Sequence, residues 1–234
     1  MQHMVASRTL RLASYNIHKC VGLDRRRKPG RIVDVLNGIG ADVIALQEAD
    51  RRLGERPAAL PAAMIEAETD FRAVLSPGAH EASLGWHGNA ILVRKDMATE
   101  NVSEITLPGT EPRGALGVQI SGKLRIIATH LGLRRSDRRQ QLDHILANLP
   151  GDAGDTVILG DFNEWSQRRG LEPLADDFAV HSPGRSFHAA RPMAALDRIA
   201  LSRELALRDG GVVQTKRARV ASDHLPVWVD IAVA

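Results

Sequence analysis

The sequence predicts an α/β protein built on mixed sheets, and three observations predict it. Short apolar runs of strand character alternate with amphipathic helical segments. Hairpin signals interrupt that alternation, which excludes a purely parallel sheet. The 234 residues are 44% hydrophobic, enough for a sizeable core. No Pro/Ser/Gly-rich linker, composition break or internal repeat divides them, so the chain reads as one domain over 1–234, with about residues 1–8 as a flexible tail.

Taken in order, "TLRLASYNI" (9–17) alternates as a strand. In "PGRIVDVLNGIG", Ile32, Val35, Leu36 and Ile39 recur at i, i+3, i+4 and i+7, one helical face, and Gly40 stops the helix. Val43 to Leu46 is a short buried strand with Glu48 just beyond it. "RPAALPAAMIEAE" (56–68) reads as a helix with proline near its start. Strands follow at 88–95, 114–122 and 123–132, the last two joined by a turn at Ser121-Gly122-Lys123. A helix over 136–150 takes Ser136 as its cap and buries Leu142, Ile145, Leu146 and Leu149. A strand at 155–160, a short helix near 167–175, a strand at 196–201 and a last strand at 225–233 complete the pattern. Aromatic content is only 3%, so aliphatic side chains fill the core.

Composition narrows the function. No apolar stretch is long enough to cross a bilayer, and the N-terminus lacks the charged and apolar regions of a secretory signal, which argues against integral membrane association. The single cysteine, Cys20, excludes an intramolecular disulfide and suits the cytoplasm. The formal charge is +3, with basic clusters at 23–31 and 133–139 that suit solvated loops or an anionic partner.

The chemistry lies where strands end, the usual place for ligand sites in α/β proteins. Asn16 ends the first strand, Glu48 follows the second, His130 ends "IIATH", and Asp161 and Asn163 follow "VILG". Asp197 opens "LDRIAL", and Asp223 and His224 stand before the last strand. Any one of them alone has a structural explanation: a turn residue, a solvated acid, a hydrogen-bonded histidine. Together they match the needs of phosphate-ester hydrolysis. Glu48 is the best ligand for Mg²⁺, a hard cation held by one or two carboxylates plus water and phosphate. Asp161 suits orientation and deprotonation of an attacking water, with Asn163 beside it. His130 and His224 suit proton transfer or hydrogen bonding to the transition state, and Asp197 suits the support of His224.

The ordered motifs "SYNIH", "ALQEAD", "GNAILVR", "THLGL", "LGDFNEW", "LDRIAL" and "SDHLPV" resemble those of the endonuclease/exonuclease/phosphatase superfamily, over residues 9 to 233. "YNIHK", "GDFNEW" and "RPMAALDRI" together resemble a group of small bacterial members. The resemblance implies a four-layer α/β sandwich of DNase I type, with two mixed sheets face to face and helices outside. It implies hydrolysis of a phosphodiester or phosphomonoester with Mg²⁺ or Mn²⁺. Asn16, Glu48 and Asp223 then stand on the metal side, while His130, Asp161, Asn163, Asp197 and His224 carry the chemistry. One departure concerns His130: in nucleases of the family a glutamate upstream of the "GNAILVR"-type strand supports this histidine, and here Glu81 is off that position.

Arg113 suits phosphate, because a guanidinium forks onto phosphate oxygens, or a surface pair with Glu111. Arg26, within "RRRK" (25–28), lies on a loop that would overhang the site. Trp165 suits stacking on a base or a lipid headgroup, though packing beneath the site is the reading that composition favours. A calcineurin-like metallohydrolase is a poor match, since the chain has "GNA" in place of "GNH" and Asn163-Glu164 in place of a bridging acid. A non-catalytic nucleic-acid or phospholipid-binding module on the same fold is the alternative. The partner expected is a phosphate ester, whether nucleic acid, phospholipid headgroup or small molecule, met by a monomer.

Overall fold

The computed structural model describes residues 8–151, 154–166 and 169–233, and the expected N-terminal tail lies almost wholly outside them. Two six-stranded mixed sheets organise the chain. The first runs β11 (Ala206–Val212), β12 (Val227–Val233), β1 (Arg8–Asn16), β2 (Val43–Gln47), β4 (Ala90–Arg94) and β3 (Phe71–Ala73). The second runs β5 (Thr99–Leu107), β6 (Arg113–Ile120), β7 (Leu124–His130), β8 (Thr156–Asp161), β10 (Asp197–Ser202) and β9 (Phe178–His181).

Side-chain alternation sorts the apolar residues into three layers of core. Leu12, Val43, Ala45 and Ile91 of the first sheet meet Leu116, Ile126, Leu159 and Ile199 of the second. The opposite faces turn outward. Ala13, Tyr15, Ile44 and Leu46 pack under α1 (Pro29–Ile39), α2 (Ala62–Glu68) and α4 (Ala218–Ala221). Ala115, Ile127, Ile158 and Ala200 pack under Leu142 and Ile145 of α3 (Arg135–Ala147). Helices, sheet, sheet and helix make four layers. The central strands β2, β8 and β10 are buried at every position because both of their faces are covered, which is why each has consecutive apolar residues (VIAL, VIL and IAL) rather than an alternating pattern.

Most predicted elements are present, with corrections at their boundaries. Gly40 ends α1 in a left-handed conformation, φ +67°, as a helix stop requires. α2 starts at Ala62 rather than 56, because the chain before it is taken up elsewhere: Arg51 N–H donates to Pro57 O and Ala59 N–H to Ala49 O. Ser136 does not cap α3. It lies inside the helix, and its hydroxyl donates to Asp137 Oδ1 at 3.2 Å. The short helix near 167–175 is a 3₁₀ turn over Glu172–Leu174, and residues 167 and 168 lie outside the described part. The hairpin at 121–123 joins antiparallel β6 and β7, with Ser121 and Gly122 both at positive φ.

Candidate active site

Strand polarity gathers the predicted residues at one end of the sandwich. β1 and β2 form the parallel pair of the first sheet, and β7 and β8 the parallel pair of the second. Their C-terminal ends deliver Asn16 and Glu48 on one side and His130 and Asp161 on the other. β10 runs antiparallel to β8 with Asp197 opposite Asp161, so its first residue reaches the same end. β12 runs antiparallel to β1, which brings the preceding Ser222-Asp223-His224 back beside Asn16. Ser222 fastens that return by donating its hydroxyl to Asn16 O at 2.7 Å.

Asp161 Oδ2 is the point of convergence. Asn16 Nδ2 donates to it at 3.1 Å, across 145 residues of sequence. His130 Nε2 lies 3.4 Å and His224 Nε2 3.6 Å from the same oxygen. Those two distances exceed a normal N–H···O bond, so neither ring is locked onto the carboxylate. The other oxygen, Oδ1, accepts from the Asn163 N–H at 2.9 Å. Asn163 adopts φ +52°, a conformation asparagine tolerates, and its amide Nδ2 donates to Leu131 O at 2.9 Å. The Asn163 side chain thus ties the β8 loop to the β7 loop.

The two imidazoles are driven in opposite directions. Burial pushes His130 down, and although Asp161 opposes this, Arg113 and His224 add to it, leaving a value of about 3. Burial also acts downward on His224, but the charges of Asp197 and Asp161 and the Asp197 hydrogen bond outweigh it and raise the ring to about 10. Asp197 Oδ2 stands 2.8 Å from His224 Nδ1 and also accepts from the Ser186 hydroxyl. The expected pairing of Asp197 with His224 is therefore present in the geometry. Ser186, which nothing in its local sequence singles out, completes it. Phe187 packs on His224 with ring centroids 5.0 Å apart.

Glu48 stands at φ +51° and is held by Lys19, whose ammonium donates to Oε2. Burial alone would raise the Glu48 carboxyl, and the Lys19 bond and charge, with His18 and Arg52, bring it below its ordinary value. Lys19 is the last residue of "YNIHK", and that motif was the signal available for it. Asp223 is half-buried, with His18 Nδ1 3.8 Å from Oδ1. Among the described residues no three His, Cys, Asp or Glu side chains form a cage for an ion. A cation that keeps water and substrate phosphate in its shell does not need such a cage. The anionic Glu48, with Asp223 and Asn16 on the same side, supplies hard oxygen donors of the right chemistry.

Arg113 is buried beside this cleft, which Lys19, Glu48, Arg52 and His130 also line. It pairs with Glu111 at 2.7 Å while its Nε has no described partner. Arg26 is exposed, and its backbone serves the turn by donating to Asp24 Oδ1. The loop touches the site through Arg27, whose Nε donates to Lys19 O at 3.0 Å. Trp165 is not packed beneath the site: it is 63% exposed.

A family model described as "Endonuclease/Exonuclease/phosphatase family" matches residues 13–224. The chain is 27% identical to the uncharacterized protein YbhP of Escherichia coli (strain K12), over 95% of this chain and 96% of that one. An endonuclease/exonuclease/phosphatase from Beutenbergia cavernae superposes with a TM-score of 0.76 at 23% identity, over 97% of this chain and 72% of the other. A mannosyl-6-phosphatase from Bacteroides thetaiotaomicron superposes with a TM-score of 0.72 at 16% identity, over 96% and 100%.

Proposed function

The chain belongs to the Endonuclease/Exonuclease/phosphatase family, and from that premise we propose that it is a divalent-metal-dependent phosphoesterase. The observation that carries the reading is the convergence of Asn16, His130 and His224 on one oxygen of Asp161. In this proposal Asp161 orients a water and takes its proton as the water oxygen bonds to phosphorus. The ester P–O bond breaks, and the imidazolium of His224 gives its proton to the departing oxygen. Asp197 keeps that ring charged and fixes which nitrogen faces the cleft. His130, held neutral, donates a hydrogen bond to a phosphoryl oxygen, and Arg113 adds charge beside it. Asn16 and Asn163 hold the Asp161 carboxylate in place. Glu48, with Asp223 and Asn16 on the same side, would hold Mg²⁺ or Mn²⁺, which would polarise the phosphoryl oxygen and stabilise charge on the leaving oxygen when bound.

No described helix is long and apolar enough to cross a membrane. Cys20 is free and buried, which suits a reducing compartment. We read the chain as one domain acting as a cytoplasmic monomer on a nucleic acid, a phospholipid headgroup or a small phosphoester. The test is a panel of plasmid, abasic duplex, RNA, phosphoinositides and bis-p-nitrophenyl phosphate with Mg²⁺ or Mn²⁺. One or more should turn over, and Asp161→Asn and His224→Ala should each abolish turnover in a folded protein. Turnover that survives in both variants defeats the assignment. Binding of a panel member with no turnover under any metal returns the fold to a binding role.

A further inference from the structure

Trp165 stands out against the rest of the chain. The sequence has eight aromatic residues. Tyr15, Phe71, Phe162 and Phe178 are buried, and Trp86, Phe187 and Trp228 are half-buried, while Trp165 leaves 63% of its surface in water. An exposed indole is commonplace on a loose loop, but the chain around this one is tightly held. Glu164 O and Ser166 O both accept from Arg198 Nη2, at 3.2 and 3.4 Å. The buried Glu164 carboxylate is gripped by Arg138 at 2.7 Å and by Arg135 at 3.1 Å, and it accepts from the Ser166 N–H at 2.8 Å. Buried ionic groups thus fix the backbone on either side of an exposed aromatic face, as a preorganised binding surface requires.

The position of that face relative to the reaction is also fixed. Trp165 meets Phe187 edge-on with centroids 6.2 Å apart, and Phe187 is 5.0 Å from His224. Two ring steps therefore separate the indole from the imidazole that faces Asp161. The basic cluster at 133–139 divides in the fold. Arg138 is buried as part of the clamp, whereas Arg134, Arg135 and Arg139 remain exposed at the start of α3, and Arg169 is exposed beyond Ser166. An exposed aromatic face with Arg135 paired to the adjacent Glu164, two ring steps from the candidate phosphate-handling centre, has the make-up of a stacking platform for single-stranded nucleic acid.

Building on the phosphoesterase reading, we propose that Trp165 is a specificity-determining residue that stacks the nucleobase attached to the scissile phosphate. The nucleotide unit comes either free or as part of a strand. The test compares wild type, Trp165→Ala and Trp165→Phe with Mg²⁺ on thymidine 5′-phosphate, oligothymidylate and glycerol phosphate, the last having no ring to stack. Trp165→Ala should raise KM about tenfold or more for the nucleotide substrates, within the range of losing one stacked base. Its kcat, and its KM for glycerol phosphate, should stay within about twofold of wild type, and Trp165→Phe should restore most of the affinity. A larger effect on oligothymidylate than on thymidine 5′-phosphate identifies the strand as the source of the ring, and the reverse identifies the free nucleotide.

Quenching of Trp165 fluorescence by the same ligands, in an Asp161→Asn background, reads binding independently of turnover. If nothing is hydrolysed but nucleotides quench and Trp165→Ala removes the quenching, the stacking inference stands while the phosphoesterase reading falls. If substrates turn over and Trp165→Ala leaves nucleotide KM unchanged, or raises KM equally for glycerol phosphate, the inference is overturned. Leu133 and Met193 are exposed on neighbouring loops. A Trp165 emission shift on phosphatidylcholine–phosphatidylglycerol vesicles, with no response to nucleotides, overturns it in favour of a lipid surface.

Discussion

Replacing Asp197 by asparagine tests the division of labour between the two histidines. His130 and His224 are almost equally buried, 6% and 4% exposed, and both present Nε2 to the same oxygen of Asp161. They differ in what stands behind them. His224 has the Asp197 carboxylate at 2.8 Å, and no described acid takes that place for His130. His130 is pushed down to about 3 and His224 up to about 10. At about 1.4 kcal/mol per pKa unit, the rise from 6.5 to about 10 is a preference of about 5 kcal/mol for the charged ring. Asparagine keeps the shape and an oxygen for the Ser186 hydroxyl but removes the charge. His224 then keeps the charges of Asp161 and Asp223 but loses its nearest acid against the same burial, so the charged form should be far less favoured than in wild type. Turnover at pH 7 should fall about 10²–10³-fold, the scale for loss of one preorganised electrostatic contact in an active site. Stability carries the same signature. The folded value lies above the unfolded one, so the contribution is full below pH 6.5 and is lost as pH rises through about 10. Wild type should lose stability across that window, and the variant should lose much less. Ring titration by NMR, urea unfolding from pH 6 to 10 and turnover on the best substrate of the panel check all three. A variant ring still charged at pH 8, or turnover within threefold of wild type, refutes the reasoning.

Two further predictions concern the scaffold beneath the site. Glu164→Gln should cost about 3 kcal/mol at pH 7 by urea unfolding. Burial alone would raise this carboxyl, but Arg135, Arg138 and the Ser166 N–H hold it at about 2 against an ordinary 4.5. Because the folded value is the lower one, the gap between wild type and variant should close as pH falls from 4.5 towards 2, and a gap that ignores pH would exclude this ion-pair account. Gly160→Ala should destabilise by about 3 kcal/mol or more, since a Cβ there would stand 1.8 Å from Thr129 O in the neighbouring strand. A melting temperature within 2 °C of wild type, where about 6 °C or more is expected, would show that the β7–β8 pairing yields easily.

The sandwich was legible where burial is two-sided. β1, β2, β4, β6, β7, β8, β10 and β12 lie inside the sheets, and all of them read as strands from their apolar runs. The four strands that did not, β3, β5, β9 and β11, are the four sheet edges. An edge strand has one neighbour and much exposed surface, so polar residues replace the apolar run, as in the exposed ALRDGGV of β11. The residues of the candidate site stood out for a related reason. Each polar residue that closes a buried strand interrupts an apolar run, and the interruption is visible in one dimension. What a single sequence does not carry is the second partner. Ser186 behind Asp197, and Arg198 beneath Glu164 and Ser166, act from distant stretches with no local pattern to mark them.

Trp165 shows how the direction of a side chain escapes a hydrophobicity reading. A tryptophan two residues after a candidate-site asparagine looks like core. Phe162 is indeed fully buried, and strand alternation continued from it would also send Glu164 inward. Glu164 does turn inward, where Arg135 and Arg138 meet it, and the following residue has only the outer surface left to it. The exposure of the indole thus follows from the inward Glu164 beside it, which Arg135, Arg138 and the Ser166 N–H hold in place. Asp161 accepts from the Asn163 N–H and Glu164 from the Ser166 N–H, so one short stretch of backbone holds both the carboxylate at the centre of the candidate site and the outward indole.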